Sequence, residues 1–477
     1  MRLKDFVQEV RNGNISVEEH TNKILLEAEK SNSQFHHFNV ISKELALSQA
    51  KELDKKIKKK EANGKLLGVA LSLKDAICVK GVETRAGSKI LSSYHPLYDA
   101  TVTERSVGEG AVVIGKTAQD EFGFGSFAVN VGVGMEIPKN PHDDERACGG
   151  SSGGSGGFTA LTDNIHVSLG ESTGGSIAAP ASFCGVAGLC PTYGRVSRYG
   201  LLDYACSLDK IGPMGKSVED IALLLEAISG LDKRESTTLP KPPDKYSDSV
   251  GKGVKGLKIG IIKEFFGEGT DNEVDKVVLN AISELEKEGV KTKEISLPLN
   301  SKYAVPAYYL ISTSEASTNL AKYCGMRYGA EEKLEGTFDQ YFTKVRSSNF
   351  GEEAKRRIIL GTFARMSGFR DAYYLRAMKI RTLLINEYKK LFREFDALVS
   401  PTMPYIAPKF KEIEKLTPLQ HYMSDLMTIP PNLAGMPHIS VNAGSSKGMP
   451  VGILFTADHL QESKLLQLGS AVEKVSK

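Results

Sequence analysis

The chain has 477 residues, with 61 Lys and Arg against 58 Asp and Glu, so its net charge is only +3. Charged residues make up 25% and hydrophobic residues 41% of the sequence, which is typical of a globular protein and excludes a disordered or fibrous chain. A nearly neutral chain of this length does not recruit nucleic acid or an anionic membrane through its overall charge. Any RNA contact is therefore expected to be local, or to belong to a partner.

The N-terminal sequence and the cysteines indicate a cytoplasmic protein. The first ten residues, MRLKDFVQEV, are charged and amphipathic, unlike a secretory signal, and no apolar run approaches the roughly 18 residues of a membrane span. The six cysteines form no Cys-x-x-Cys pair and have no histidine at zinc spacing. We therefore expect buried thiols in a reducing cytoplasm, no membrane association and no metal in this chain.

Residues 1–62 are predicted to be a helical segment. Apolar residues at helical spacing begin at Leu3, and Ser16 with Glu19 forms a capping box for a second helix. Residues 51–65 contain seven lysines, which favour a solvated helix end over an RNA-facing patch.

From residue 66 onward, short apolar strands alternate with helices, which predicts an α/β fold. Residues 233–254 are rich in Pro, Ser, Lys and Asp and indicate a surface linker, after which the alternation resumes. The predicted strands lie within 66–74, 111–116, 257–263, 290–297, 438–444 and 450–456, and the later predicted helices lie near 274–285, 303–322 and 371–393 and at the C-terminal end.

Glycine departs from average usage, and much of it is concentrated in one region. Residues 148–157 read CGGSSGGSGG, and residues 171–180 read ESTGGSIAAP. Glycine permits close approach to the backbone, and successive free N–H groups make a concave anion site. A phosphate-binding loop would need a lysine that is missing here, and a flexible linker would not lie between strands. An α/β-hydrolase elbow is formally matched by 149–153, but the preceding 137–148 is not predicted to be a strand.

Another interpretation of the serines depends on Lys74, which ends the apolar run GVALSLK. Burial disfavours the charged form of an amine, and a neutral lysine can act as a base toward a serine without any histidine. The alternative is a lysine whose amine simply reaches solvent at a strand end.

Three motifs together closely resemble the amidase signature family: SLKD at 72–75, GGSSGGS at 149–155 and TGGSI at 173–177. The resemblance covers essentially the whole chain. It implies the amidase signature fold, a mixed central β-sheet surrounded by helices, in a single domain. The parts of that domain would be an N-terminal helical segment (1–62), a Ser/Gly-rich catalytic core (66–232), the surface linker (233–254) and a C-terminal half that completes the sheet and substrate pocket (255–477).

The resemblance also assigns roles to residues of these motifs. Lys74 would be the base, Ser152 the bridging serine in a cis peptide, and Ser176 the nucleophile, while Ser151 and Ser155 would support the loop. The oxyanion would be held by the backbone N–H groups of four consecutive residues, Thr173, Gly174, Gly175 and Ser176.

Within the family, the chain resembles most the GatA-type glutaminase subunit of tRNA-dependent amidotransferases. The stretches that indicate this are DEFGFG at 120–125, YYLISTSEASTNL at 308–320, KRRIILGTF at 355–363 and DLMTIPPNLAG at 425–435. Such a subunit, with no cofactor of its own, would hydrolyse glutamine and pass ammonia to a GatB-type partner. That partner would use ATP and Mg²⁺ to activate Glu-tRNA(Gln) or Asp-tRNA(Asn), and a GatC-type subunit would complete the heterotrimer.

The same resemblance implies a glutamine pocket. Arg357 would pair with the α-carboxylate and Asp425 with the α-ammonium group, while Tyr308, rather than Tyr309, would hydrogen-bond nearby. The chain departs from the common family pattern of Asp, Arg and Lys at three positions, Ser172, Ala178 and Cys190.

Two alternative functions stay open. One is a free-standing amidase that acts on small amides, and the other is a catalytically silent scaffold subunit. The intact set of Lys74, Ser152 and Ser176 argues against the scaffold.

Overall fold

A computed structural model describes residues 1–476 and is built around one mixed sheet of 11 strands, with a separate two-stranded sheet beside it. Helices surround the large sheet, so the predicted α/β fold is confirmed. The strands are β1 (Phe38–Ile41), β2 (Ala70–Lys74), β3 (Val112–Thr117), β4 (Lys139–Asn140), β5 (Asp143–Ala147), β6 (His166–Ser172), β7 (Ala187–Cys190), β8 (Lys210–Gly215), β9 (Lys258–Ile262), β10 (Lys291–Ile295), β11 (Ala397–Pro401), β12 (His438–Ser446) and β13 (Met449–Thr456).

The strand order in the large sheet is β1-β3-β2-β6-β8-β7-β12-β13-β11-β9-β10, so both halves of the chain contribute to it. Strands β3, β2 and β6 are mutually parallel, as are β11, β9 and β10, and the pairs between these two groups are antiparallel. Strand β1 adds an antiparallel edge next to β3.

Sixteen α-helices lie among residues 1–476, several of them amphipathic, as helices packed on a sheet must be. They are α1 (Leu3–Arg11), α2 (Val17–Phe35), α3 (Lys43–Lys58), α4 (Thr101–Gly108), α5 (Gly153–Leu161), α6 (Ala178–Cys184), α7 (Val218–Ile228), α8 (Asn272–Lys287), α9 (Pro298–Asn319), α10 (Phe338–Asn349), α11 (Glu352–Arg365), α12 (Arg376–Leu391), α13 (Phe410–Ile413), α14 (Pro418–Met423), α15 (Ile429–Leu433) and α16 (Glu462–Val475). None of them is long and apolar enough to cross a membrane.

The predicted strands and helices are confirmed, with two corrections. The N-terminal segment is not wholly helical, because β1 interrupts it and pairs with β3. Residues 139–147, predicted to contain no strand, form the β4–β5 hairpin. All three strands are at most five residues long, and β4 and β5 are mostly polar, so pairing with a neighbour rather than a local pattern defines them.

The parallel pairing of β2 with β6 positions the candidate site. All five residues of β2 and all seven of β6 are buried, as expected for strands that are covered on both faces. Leu73 pairs with Leu169, so Lys74 and Glu171 emerge at the same edge of the sheet. The carboxyl ends of parallel strands thus bring a buried cation and a buried acid together.

Helices α9 and α11 carry the other side of the site, and they pack at very short range. Gly361 of α11 lies directly against the Thr313 carbonyl of α9, so that a Cβ at Gly361 would collide with that oxygen. This close approach places Arg357, one turn earlier on α11, beside the tyrosines of α9.

We predict that Gly361→Ala separates the two helices and lowers the free energy of unfolding by at least about 2 kcal/mol, because overpacking against a rigid backbone outweighs the gain in helix propensity. Chemical denaturation measures this. Gly108→Ala in α4 is the matched control, since nothing lies within 4 Å of its Cβ position. That variant should be neutral or up to about 1 kcal/mol more stable, and equal effects in both would contradict the packing argument.

Candidate active site

Lys74 is a fully buried lysine with three acceptors around its amine. Its Nζ donates to Ser151 Oγ at 2.6 Å, to the Glu171 main-chain carbonyl at 2.9 Å and to Glu171 Oε2 at 2.8 Å. An ammonium group has three hydrogens and no acceptor, so all three are used. The amine therefore does not reach solvent at the strand end.

The serine against Lys74 is Ser151, which corrects the sequence prediction of Ser152. The cis peptide bond joins Gly150 to Ser151, and Ser151 is the residue whose hydroxyl contacts the lysine. The Ser152 hydroxyl instead donates to the Glu171 carbonyl at 3.2 Å. In the GGSSGGS motif the two serines are adjacent and chemically identical, and only the backbone path decides which one faces the amine.

Ser176 lies in the loop between β6 and α6, and this loop reaches the Ser151–Ser152 turn. The Ser152 N–H donates to the Ser176 carbonyl at 3.2 Å, and Ser176 is 6% exposed. Among residues 1–476 the N–H groups of residues 173–176 donate to no protein acceptor. Four free donors beside a serine are what an oxyanion site requires.

Glu171 contacts Lys74 through one carboxylate oxygen and a second set of buried polar groups through the other. The Thr173 hydroxyl lies 2.9 Å from Glu171 Oε1 and 3.0 Å from Asp209 Oδ1. Burial and the negative charge of Glu171 hold the pKa of Asp209 well above its usual range. Neither Glu171 nor Asp209 is among the residues predicted from the sequence. The alternation of Val167 and Leu169 indicates a strand that ends at Glu171, which is the one local signal for this acid.

Asp425 lies against the same loop from the opposite side. Its Oδ2 accepts a hydrogen bond of 2.6 Å from Ser126, while its buried Oδ1 has no partner among the described residues. A Cβ at Gly175 would be 2.9 Å from that free Oδ1, which measures how closely the acid approaches the loop. Burial raises the pKa of Asp425 to about 7.

Arg357 is buried in an aromatic cage near Asp425. Its guanidinium donates to Tyr204 at 2.5 Å and to Glu353 at 2.8 Å. It also lies over four aromatic rings at 5.1 to 5.7 Å, those of Phe124, Tyr204, Tyr309 and Tyr422. The neighbouring Arg356 is partly exposed, so Arg357 is the one of the pair that faces the interior.

The two tyrosines of α9 take different places. A Cβ at Gly174 would be 3.2 Å from the Tyr308 hydroxyl, so Tyr308 borders the loop of residues 173–176. Tyr309 stacks on Tyr422 with ring centroids 4.1 Å apart and lies under Arg357. The structure thus brings both tyrosines to the site.

A cavity of about 170 Å³ opens between these groups. Ser126, Arg357 and Tyr422 line it, and Ser126 connects it to Asp425. The cavity therefore presents the Arg357 guanidinium and its partner Glu353 directly, while Asp425 lies behind Ser126 next to the Ser176 loop. Within residues 1–476, no group of three or more His, Cys, Asp or Glu is placed to hold a metal ion.

Two of the three residues that depart from the common family pattern, Ser172 and Cys190, form hydrogen bonds that support the loop of residues 173–176, directly or through Asn432. The Ser172 hydroxyl donates to the Gly174 carbonyl at 2.9 Å, and the Cys190 thiol donates to Asn432 at 3.3 Å. Asn432 in turn donates to the Thr173 carbonyl. Ala178 is buried at the start of α6. Small polar groups thus take part in holding the loop.

Comparison with known proteins agrees with this geometry. The family model described as Amidase matches residues 19–466. The chain belongs to the amidase family. The resemblance to the amidase signature family is thereby confirmed.

Similar amidases include proteins from three bacteria. The A subunit of the glutamyl-tRNA(Gln) amidotransferase of Microcystis aeruginosa is 47% identical over 93% of this chain and 91% of its own length. That of Geobacillus thermodenitrificans is 46% identical over 92% and 90%. The crystal structure of the corresponding Thermotoga maritima protein is 34% identical, covers 96% of this chain and 94% of its own, and has a TM-score of 0.78.

We predict that Ser151 and Ser152 differ sharply in amide hydrolysis. Ser151→Ala removes the hydroxyl that contacts Lys74 and should lower kcat at least about 100-fold, the usual scale for losing a proton-transfer group. Ser152→Ala removes two long contacts with the Glu171 main chain, to its carbonyl and from its N–H, and should keep more than about a tenth of kcat. Steady-state turnover of a carboxamide measures both, and the reverse ranking would restore the assignment to Ser152.

Proposed function

We propose that this amidase is the glutaminase subunit of a tRNA-dependent amidotransferase and that Lys74, Ser151 and Ser176 form its catalytic relay. The contact of 2.6 Å between Lys74 and Ser151 carries the proposal, because it turns a buried lysine toward a serine at the nucleophile loop. The relatives named as the A subunit of glutamyl-tRNA(Gln) amidotransferase support the assignment of the reaction.

The relay moves protons from the weak nucleophile to the base. The Ser176 hydroxyl gives its proton to Ser151, which gives its own proton to Lys74, and Ser176 attacks the carboxamide carbon. The free N–H groups of residues 173–176 hold the oxyanion. The protons then return to the leaving nitrogen, ammonia departs, and water releases the acyl group from Ser176 along the same path.

Glutamine is selected through its amino-acid end. In the proposed complex the α-ammonium group pairs with the partnerless Oδ1 of Asp425, and the α-carboxylate pairs with Arg357. The unpartnered Oδ1 of Asp425 would remain uncompensated beside a small neutral amide. The pocket therefore favours glutamine over the substrates of a free-standing amidase acting on small amides.

The ammonia is proposed to pass to a GatB-type subunit that binds ATP and Mg²⁺ and holds Glu-tRNA(Gln) or Asp-tRNA(Asn), with a GatC-type subunit completing the heterotrimer. The net charge of +3 fits a subunit that does not itself grip the RNA. We further propose a cytoplasmic location, where the partners and charged tRNA are present.

The proposal predicts that hydrolysis depends on partners. Glutamine hydrolysis by the isolated chain should be slow and should rise when GatB-type and GatC-type subunits, ATP and charged tRNA are added, because ammonia released without an acceptor is lost. Native co-purification followed by ammonia release assays measures this. Ser176→Ala in the same complex should abolish release, and full activity of the isolated chain that ignores the partners would favour the free-standing amidase.

The pocket predicts which kinetic constant changes in its variants. Asp425→Asn and Arg357→Ala should each raise the KM for glutamine about tenfold or more, equivalent to at least about 1.4 kcal/mol of binding. Both variants should still hydrolyse a small neutral amide at the wild-type rate, which serves as the control for folding. An unchanged KM in both variants would exclude this pocket.

The buried Asp425 also predicts a pH dependence of glutamine binding. Because burial raises its pKa to about 7, the carboxyl group is neutral below that pH and cannot pair with the ammonium group. Affinity should therefore fall as the pH drops below about 7, by up to about tenfold per unit. Calorimetry on the inactive Ser176→Ala protein measures this, and adding Asp425→Asn should remove the dependence.

A further inference from the structure

Glu171 contacts Lys74 in a way that determines where the amine points. The side chain of Glu171 is 4% exposed and that of Lys74 is fully buried, so the pair is almost completely shielded from solvent. The main-chain carbonyl and Oε2 of Glu171 take two of the three Nζ positions, and Ser151 takes the third. A neutral amine keeps two hydrogens and one lone pair. With both hydrogens on Glu171, that lone pair faces Ser151.

The contact of Glu171 Oε1 with Thr173 indicates which of two neighbouring acids carries a proton. The Thr173 hydroxyl is within hydrogen-bond distance of both Glu171 Oε1 and Asp209 Oδ1, but it has a single hydrogen to give. One of the two acids must therefore carry a proton and donate it. The carboxyl of Asp209 is buried next to the charge of Glu171, which makes Asp209 the protonated member. Glu171 is then the carboxylate of the two acids, and its Oε2 faces the Lys74 amine.

We propose that Glu171 is a positioning residue for Lys74, which holds the amine with its lone pair toward Ser151 and stabilises the ammonium that forms when Lys74 accepts the proton of Ser151. This inference rests on the proposed relay through Lys74, Ser151 and Ser176. When the proton is transferred, the O–H bond of Ser151 breaks and a third N–H bond of Lys74 forms. The resulting ammonium lies 2.8 Å from Glu171 Oε2, so its charge is compensated without contact with solvent.

The charge of Glu171 also stabilises the ammonium that forms on Lys74. A carboxylate in direct contact stabilises a positive charge, and buried surroundings screen this effect weakly. Without that charge Lys74 accepts the proton of Ser151 less readily, so the rate of the variant should fall and its pH–rate profile should shift toward lower pH. The ionisable groups around these side chains include Asp120 in the field of Lys74, Cys190 in the field of Glu171, and Arg198 and Asp203 in the field of Asp209.

The test is Glu171→Gln, which keeps the shape and removes the charge. Measured as kcat at saturating glutamine, in the partner complex if turnover requires it, the maximal rate should fall about tenfold. The midpoint of the acid limb should move at least about one pH unit lower, and the KM should stay within about twofold. Working at saturation keeps Asp425 occupied, so its own titration does not enter the profile.

Two further variants separate charge from structure. Glu226→Gln removes a carboxylate whose side chain is 5% exposed and lies 2.6 Å from Lys65, outside the site, and it should change neither the maximal rate nor the midpoint. Glu171→Asp keeps the charge but withdraws it by one methylene. Its acid midpoint should move less than that of Glu171→Gln, and an equal or larger shift would contradict the role of the charge.

The outcomes also separate this inference from the function on which it rests. If Ser176→Ala still hydrolyses glutamine, the proposed relay is wrong. If Ser176→Ala is inactive but Glu171→Gln keeps the wild-type midpoint, Glu171 is only a structural partner and this inference alone is overturned. If Glu171→Gln does not fold, shown by loss of its cooperative thermal transition, Glu171→Asp decides through its rate: a carboxylate withdrawn by one methylene should hold the amine less well and lower kcat, and an unchanged kcat would overturn the inference.

Discussion

The structure depends on keeping a lysine amine buried at the end of an apolar strand. A charged amine in such a place is costly unless it is paired and fully hydrogen-bonded. Lys74 meets both conditions, because Glu171 supplies a carboxylate and a carbonyl and Ser151 supplies a hydroxyl. The parallel pairing of β2 and β6 makes this possible, since it brings the ends of the two strands to one edge of the sheet.

The loop of residues 173–176 is held from several directions by groups that leave its own N–H donors free. Asn432 and Ser172 bind carbonyls of the loop, and Thr173 connects it to the buried acids. The glycines let neighbouring side chains approach closely: a Cβ at Gly174 would be 3.2 Å from the Tyr308 hydroxyl, and a Cβ at Gly175 would collide with Thr428 and Asp425. The same absence of side chains serves the proposed oxyanion site and the proposed pocket.

Arg357 and Asp425 show a second use of burial. Both are nearly inaccessible to solvent. Arg357 is paired with Glu353 and Tyr204, whereas Asp425 retains an oxygen without a partner among the described residues. A buried group left in this way is unfavourable in an empty site and becomes favourable when an oppositely charged ligand completes it. In the proposed function this favours a zwitterionic amino acid over a plain amide.

The sequence alone was sufficient for the fold class and for most of the longer strands and helices, because apolar periodicity is a local property. It also predicted a buried lysine at the end of an apolar strand, and Lys74 is buried there. The tertiary structure decided what local patterns leave open. Ser151 and Ser152 are neighbours of the same chemistry, and the backbone path through Gly150 turns only the first toward the amine. Glu171 lies 97 residues after Lys74 in the sequence, and Asp209 lies 36 residues after Thr173. Strand pairing and burial bring each pair into contact, and no single segment of the sequence encodes these.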